Sequence, residues 1–230
     1  LLEKYSSKDI SFDICSCQFS FHYCFESEDK ARRMIRNAIE RIRPGGFFVG
    51  TLPDAERIWL NNGTNGVYSN DVVRLEYDDK EVLNDPNGKP PIFGAKFHFS
   101  LDTQVNCPEY LVHFPVIVFR LLNECGMELI YKKRFPDAID YYLGMQEGRG
   151  LMGRMQALEP YPPFEGVRWI YLLCWECFQG TLSKSEWEVT AMYLVFAFRK
   201  KNNAKLKESI CISDCFASIS GLFLIVSFNF

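Results

Sequence analysis

Residues 12–54 read "FDICSCQFSFHYCFESEDKARRMIRNAIERIRPGGFFVGTLPD". The apolar run "SFDICSCQF" at 11–19 has strand length and is too uniformly apolar to keep one face wet, which predicts a buried strand of a parallel sheet. Beyond it, Ala31, Met34, Ile35, Ala38, Ile39 and Ile42 recur at helical spacing, and Arg32, Arg33, Arg36, Glu40 and Arg41 occupy the rest of the surface. Glu26, Glu28 and Asp29 place negative charge at the helix start, where the dipole favours it. "PGG" at 44–46 predicts the end of the helix, and "FFVGT" the next buried strand. Strand, helix, glycine turn and strand make one βαβ unit, so an α/β fold is expected.

Outward from this unit, "NNGTNG", "YDDKE" and "NDPNGKPP" are turn chemistry and predict a loop-rich stretch from 53 to 92. "IFGAKFHFSL", "LIYKKRF" and "MYLVFAFRK" read as strands, which predicts further, partly antiparallel sheet toward the C-terminus. "PVIVFRLLNECGM" has helical spacing, and Gly126 is placed to end it. A chain of 230 residues can bury one proper core. That core is expected within 1–207, with 208–230 a hydrophobic tail outside it. The last uncharged stretch, 215–230, is shorter than the ~20 residues of a membrane-spanning helix, so no membrane association is expected.

The net charge of -3 argues against broad binding along a nucleic-acid backbone, but not against reading one end of a nucleic acid. Nine cysteines is an odd number, and "LLEKYSSKDIS" carries no secretory signal, so free thiols in a reducing compartment are expected. "CSC" at 15–17 reads as core. "CWEC" at 174–177 has metal-like spacing but no second pair or histidine cluster near it, whereas a structural zinc takes four ligands. No metal is expected.

The candidate site is "QFSFHYCF" at 18–25, beyond the carboxyl end of the first strand, where open α/β sheets take their ligands. Gln18 and His22 each offer donors and acceptors, while Phe19, Phe21, Tyr23 and Phe25 supply flat apolar faces. Two readings stand: a wall for a planar heterocycle, or core aromatics beside a satisfied loop histidine. Glu109, in "CPEYLVHFP", lies among apolar residues. A buried carboxylate needs donors, and either a local cap or bridge or the N1–H and N2 amine of a guanine edge would supply them. No serine elbow, HExxH or Walker loop occurs, and "GMQEGRG" at 144–150 does not follow a predicted strand.

Six segments, "FDICSCQFSFHYCFES", "RPGGFFVGTLPD", "FGAKFHFSL", "CPEYLVHFP", "RMQALEPYP" and "GTLSKSEWEVTAMYLVFAF", resemble the eukaryotic mRNA cap guanine-N7 methyltransferase family in its order, across roughly residues 1–200. The resemblance implies a Rossmann-like class I S-adenosylmethionine-dependent methyltransferase sheet. It also implies transfer of a methyl group to N7 of the guanosine cap of mRNA, in the nucleus, without a metal or a catalytic base. By the same resemblance Gln18 and Tyr23 touch the cofactor S-adenosylmethionine, while Phe19, His22, Glu109 and Tyr193 face the cap. The implied partners are 5'-capped RNA and, as in animals, a small activating subunit.

The resemblance begins downstream of the family's Gly-rich cofactor loop, its acidic residue after the second strand and a later Asp. Its basic triphosphate-gripping segment is also unmatched, and 163–179 departs from the family's polar stretch. An incomplete sheet with an unpaired edge is therefore expected, with weak cofactor binding by this chain alone. The alternatives are a truncated or inactive cap-binding or regulatory homologue, and a class I methyltransferase with another substrate.

Overall fold

The computed structural model describes residues 10–61, 66–79, 90–101, 105–163 and 180–202. The segments 164–179, with "CWEC", and 203–230, with the expected tail, lie outside the described residues. The chain divides into two units, Leu1–Lys133 with Met192–Leu206, and Arg134–Ala191 with Lys207–Phe230.

The first unit contains the βαβ element. Strand β1 (Phe12–Cys17) runs parallel to β2 (Ile42–Pro53), joined through helix α1 (Glu28–Ile39). The sheet continues through β8 (Tyr193–Lys200) to β7 (Met127–Arg134) in the order β1-β2-β8-β7, with β8 antiparallel to β2. The mixed sheet expected from the sequence is thus present.

Two local expectations are corrected. Strand β1 is not buried: it is the edge of its sheet, bonded to β2 alone among the described residues, and Phe12 is 37% exposed. Apolar composition could not distinguish a strand covered on every side from one with an open edge. Nor does "PGG" end the helix. α1 stops at Ile39, and the three residues lie inside β2. The β1–β2 register passes from Phe12↔Ile42 to Ile14↔Phe47, so the excess length of β2 forms a bulge. Gly45 adopts φ 78 there. A Cβ on Gly46 would meet Ile42 Cγ2 at 2.7 Å and the Asp13 carbonyl oxygen at 2.8 Å, so glycine alone fits.

Of the stripe that the periodicity predicts, helix α1 buries Ala31, Ile35 and Ile39 and half-buries Met34 and Ala38, while Ile42 falls in β2; Ser27 caps the helix start by accepting from the Lys30 amide at 3.4 Å. Beyond its C-terminus, Lys200 Nζ donates to the carbonyls of Ile39 (3.0 Å) and Ile42 (2.7 Å). These are charge-assisted bonds to the last carbonyl of the helix and to that of the first residue of β2. Lys200→Met is therefore expected to destabilise the protein by about 1.5–3 kcal/mol. Urea denaturation would show this as a lower midpoint at constant slope. A change under about 0.5 kcal/mol would mean that water replaces the ammonium at both carbonyls.

The stretch 53–92, expected as loop, contains helix α2 (Ala55–Asn61) and a hairpin of β3 (Val67–Ser69) and β4 (Val73–Tyr77). Asn70 closes the hairpin connection, its Oδ1 accepting from the Val72 and Val73 amides at 3.0 Å each, whereas most of "NNGTNG" and "NDPNGKPP" and the end of "YDDKE" lie outside the described residues. With β5 (Lys96–Leu101) and β6 (Val105–Tyr110) these strands make a second, antiparallel sheet in the order β3-β4-β5-β6. The alternation read in β5 is real, since Phe97, Phe99 and Leu101 are buried. Strand β6 was not foreseen because Pro108 interrupts its run, but it is an edge strand, where proline is tolerated. The expected helix after it is a turn, α3 (Phe114–Val116), passing into π-helical Ile117–Leu122 and ending at Gly126 with φ 77.

A core of Phe21, Phe25, Ile35, Phe48, Leu52, Phe114, Leu194, Phe196 and Phe198 fills the space beside the mixed sheet. Cys17 joins it, and burial raises the thiol pKa values of Cys15 and Cys17 and pushes Cys24 up to about 12. These are inert packing thiols.

The second unit carries α4 (Phe135–Leu143), α5 (Gln146–Met155) and α6 (Lys184–Thr190), with an isolated parallel bridge between Glu159 and Thr181. "GMQEGRG" runs into α5, and a Cβ on Gly148 would collide with the Tyr142 carbonyl, so that glycine serves close helix packing. Ser183 and Glu186 form a capping box at the start of α6.

Candidate functional site

The site begins where β1 and β2 end together. Cys17 pairs with Gly50, the last pair of the parallel ladder, and beyond it both chains are free to turn. A Cβ on Gly50 would lie 2.6 Å from the Phe196 ring, so the glycine lets β1, β2 and that ring close up. β1 leaves the sheet through Phe19, which has φ 51, an uncommon conformation for a bulky residue. The Phe19 amide donates to Thr51 Oγ1 at 2.9 Å, and Thr51 is fully buried. The chain then enters a 3-10 segment, Phe21–Glu26.

That segment is anchored by two residues four positions apart. Phe21 and Phe25 point into the core, with ring centroids of Phe21 5.3 Å from Phe25, 5.4 Å from Phe48 and 5.8 Å from Phe196. Phe25 also stacks on Phe93 at 6.0 Å, and its carbonyl accepts from the Gly94 amide at 2.9 Å, tying the segment to the chain entering β5. His22 and Tyr23 are thereby turned toward β6. There His22 Nε2 lies 3.2 Å from Glu109 Oε2, with both side chains at most 5% exposed. The two are close without being aligned. His22 Nδ1, His22 Nε2 and Glu109 Oε2 have no hydrogen-bond partner among the described residues. Tyr23 donates its hydroxyl to Glu109 Oε1 at 3.3 Å, and its ring lies 4.3 Å from that of His22. Cys107, two residues before Glu109 on β6, places Sγ 3.4 Å from the same hydroxyl.

Antiparallel pairing of Pro53 with Tyr193 sets the first residue of β8 at the carboxyl end of β2. The Tyr193 ring meets the Phe19 ring edge-on at 5.1 Å. Burial raises the Tyr193 phenol well above its ordinary range, and the charge of Glu109 adds to the effect. Tyr23 is raised for the same reasons, burial first, then its contacts with Cys107 and Glu109. Both phenols therefore stay protonated, and Tyr23 acts as a donor.

Five of the six expected residues thus fall into two groups in contact, Phe19 with Tyr193, and His22 with Tyr23 and Glu109. Gln18 stands apart from these pairs. Its amide nitrogen donates to Ser16 Oγ at 2.9 Å, beside the open edge of the sheet. Thr51 and Cys107 were not foreseen. The period-2 rule applied to Glu109 would have found Cys107, which shares its face of the strand. Among the described residues no group of three or more His, Cys, Asp or Glu side chains is placed to hold a metal ion, and no helix is long and apolar enough to cross a membrane.

The arrangement offers an orphaned carboxylate oxygen and an orphaned imidazole beside two aromatic rings. A buried polar group without a partner is costly, and a ligand that supplies the missing donors and acceptors relieves that cost.

Residues 1–201 match the mRNA (guanine-N(7))-methyltransferase domain. The chain is 46% identical over 225 residues to the mRNA cap guanine-N(7) methyltransferase of Caenorhabditis elegans, covering 88% of this chain and 56% of that protein. The Drosophila melanogaster protein of the same name is 40% identical, covering 88% and 48%, and mRNA cap guanine-N(7) methyltransferase 1 of Oryza sativa is 38% identical, covering 87% and 50%. The chain spans about half the length of these curated relatives. Among solved structures, the CcbJ methyltransferase of Streptomyces caelestis aligns at TM-score 0.40 and 14% identity, over 85% of this chain and 60% of that one.

Proposed function

Because the chain belongs to the mRNA (guanine-N(7))-methyltransferase family, we propose that its site seats the guanine of an RNA cap for methylation at N7. The single observation that supports this reading most is the orphaned Glu109 Oε2 beside the orphaned nitrogens of His22. Glu109 accepts from guanine N1–H and the N2 amine, and Tyr23 holds the carboxylate in place. A His22 N–H faces O6. Phe19 and Tyr193 close on the flat face of the base. On this reading the protein acts on 5'-capped RNA in the nucleus, beside a small activating subunit.

Bound S-adenosylmethionine would supply a methyl group on a sulfonium, which guanine N7 would take through a lone pair that carries no proton as the methyl–sulfur bond breaks and S-adenosylhomocysteine leaves. No general base is required, and the task of this chain is alignment. Gln18 fits the methyl donor in position and chemistry, since its half-exposed amide lies at the carboxyl end of β1. His22 and Glu109 orient the base edge, while Tyr23, which the resemblance implied for the cofactor, instead braces the Glu109 carboxylate. Phe19 and Tyr193 exclude water from the faces of the base, and the rings favour the positive charge that develops on the purine. Fixing two reactants in line is worth effective molarities of roughly 10⁵–10⁸ M in favourable cases.

The test is transfer of labelled methyl from S-adenosylmethionine to unmethylated capped RNA by the full-length protein, followed by digestion and identification of the base. The expected product is 7-methylguanosine, with transfer reduced about 10- to 100-fold in His22→Ala, the worth of one hydrogen bond in a buried charged set. Label on any other atom, or equal transfer to uncapped guanosine compounds, overturns the reading.

A further inference from the structure

We propose that Thr51 is a positioning residue of this site, whose hydroxyl holds Phe19 in its left-handed backbone conformation and so sets the ring against which the guanine packs. The proposal rests on the reading of the site given above.

Phenylalanine at φ 51 persists only where its surroundings over-determine it. The surroundings here come from the end of β2. Cys17 is the last residue of β1 in register, opposite Gly50, so the chain departs level with Thr51. The Phe19 amide has left the ladder by then, and it finds its acceptor in Thr51 Oγ1 at 2.9 Å. The threonine is fully buried, and a solvent molecule cannot replace its hydroxyl without opening the strand ends. Two residues further along β2, Pro53 pairs with Tyr193 and fixes the other ring of the wall. One strand end thus sets both rings of the 5.1 Å edge-on pair, Phe19 through a hydrogen bond and Tyr193 through sheet register. The bend at Phe19 also turns the chain from β1 into the 3-10 segment that carries His22.

Thr51→Val keeps the shape and the β-branch but turns a methyl on the Phe19 amide, whereas Thr51→Ser keeps the acceptor. In the full-length protein the expected result is a KM for capped RNA raised about 10- to 100-fold in Thr51→Val, the effect of losing one hydrogen bond and stranding its donor. The KM for S-adenosylmethionine should change less than about threefold, and Thr51→Ser should stay within about threefold of wild type on both, well below one lost hydrogen bond. Equal losses in the two variants, or a loss shared by both substrates in proportion to a lowered Tm, would make Thr51 a structural residue only and overturn the proposal.

If the wild type methylates no capped RNA, the functional reading falls, and hydrogen exchange at the Phe19 amide decides the remaining question. Exchange faster in Thr51→Val than in Thr51→Ser supports the lock, and equal exchange overturns it.

Discussion

Glu109→Gln is expected to lower kcat/KM for capped RNA by about 10²- to 10³-fold, the worth of ~3–4 kcal/mol of charge-assisted hydrogen bonding. The substitution is isosteric and leaves the strand and its packing in place. It removes the charge and turns an amide NH₂, a donor, toward a base edge that presents donors. The loss should therefore exceed that of a single neutral hydrogen bond. A substrate-side partner to the mutation makes the assignment sharper. Inosine lacks the N2 amine, so an inosine cap should cost the wild type about 10- to 100-fold, one charge-assisted bond. In Glu109→Gln that penalty should shrink below about threefold, because the bond it deletes is already gone. A full inosine penalty in the variant would place the carboxylate away from N2. Tyr23 should add no limb to the rate–pH profile below its ordinary value of 10.0, since its raised pKa keeps it protonated there and its donated bond weakens only as pH rises through the raised value.

Phe21→Ala is expected to destabilise the protein by about 3–5 kcal/mol. Phe21 is fully buried and touches the rings of Phe25, Phe48 and Phe196, so its removal leaves a cavity between the 3-10 segment and two strands. In a chain of this size that corresponds to a fall in Tm of roughly 6–20 °C. Phe21→Leu fills most of the volume and should retain more than half of the lost stability. The neighbour in sequence is His22, so the alanine variant should also loosen cap recognition at temperatures well below its Tm. A drop under about 1 kcal/mol would mean that the cavity collapses without cost, and that the segment is held by its link to Gly94 instead.

The parts of this fold that a single sequence revealed are those that rest on local periodicity. The stripe of Ala31, Ile35 and Ile39 and the alternation of Phe97, Phe99 and Leu101 each need one face of one element to be apolar, and both are as expected. What failed depends on neighbours. The burial of β1, read from composition, failed because it depends on what pairs with the strand, whereas the unpaired edge that the resemblance implied is present; "PGG" became a bulge because β2 is longer than the strand beside it. Strand β6 hid behind Pro108, since an edge strand tolerates a residue that a propensity count takes as a stop. Glu109 was legible as a carboxylate in apolar company. Its approach to His22, 87 positions away along the chain and 3.2 Å distant in the structure, was not legible: the resemblance implied only that both residues face the cap. Thr51 illustrates the limit. A hydroxyl in an apolar strand gives no sign of which amide, 32 residues distant, it accepts from.

The strand order β1-β2-β8-β7 has a consequence for synthesis. β2 is complete at residue 53, but its second neighbour is β8, which begins at residue 193. At roughly 5–20 residues per second, a ribosome leaves the inner edge of β2, with Val49 and Leu52, without its partner for on the order of ten seconds. Such long-range pairings also fold slowly, because the loop must close before the contacts reward it. The pairing that seats Tyr193 beside Phe19 therefore forms among the last, and the aromatic wall of the site is a late product of translation. Nascent chains are most exposed to aggregation and chaperone capture in the interval before β8 docks.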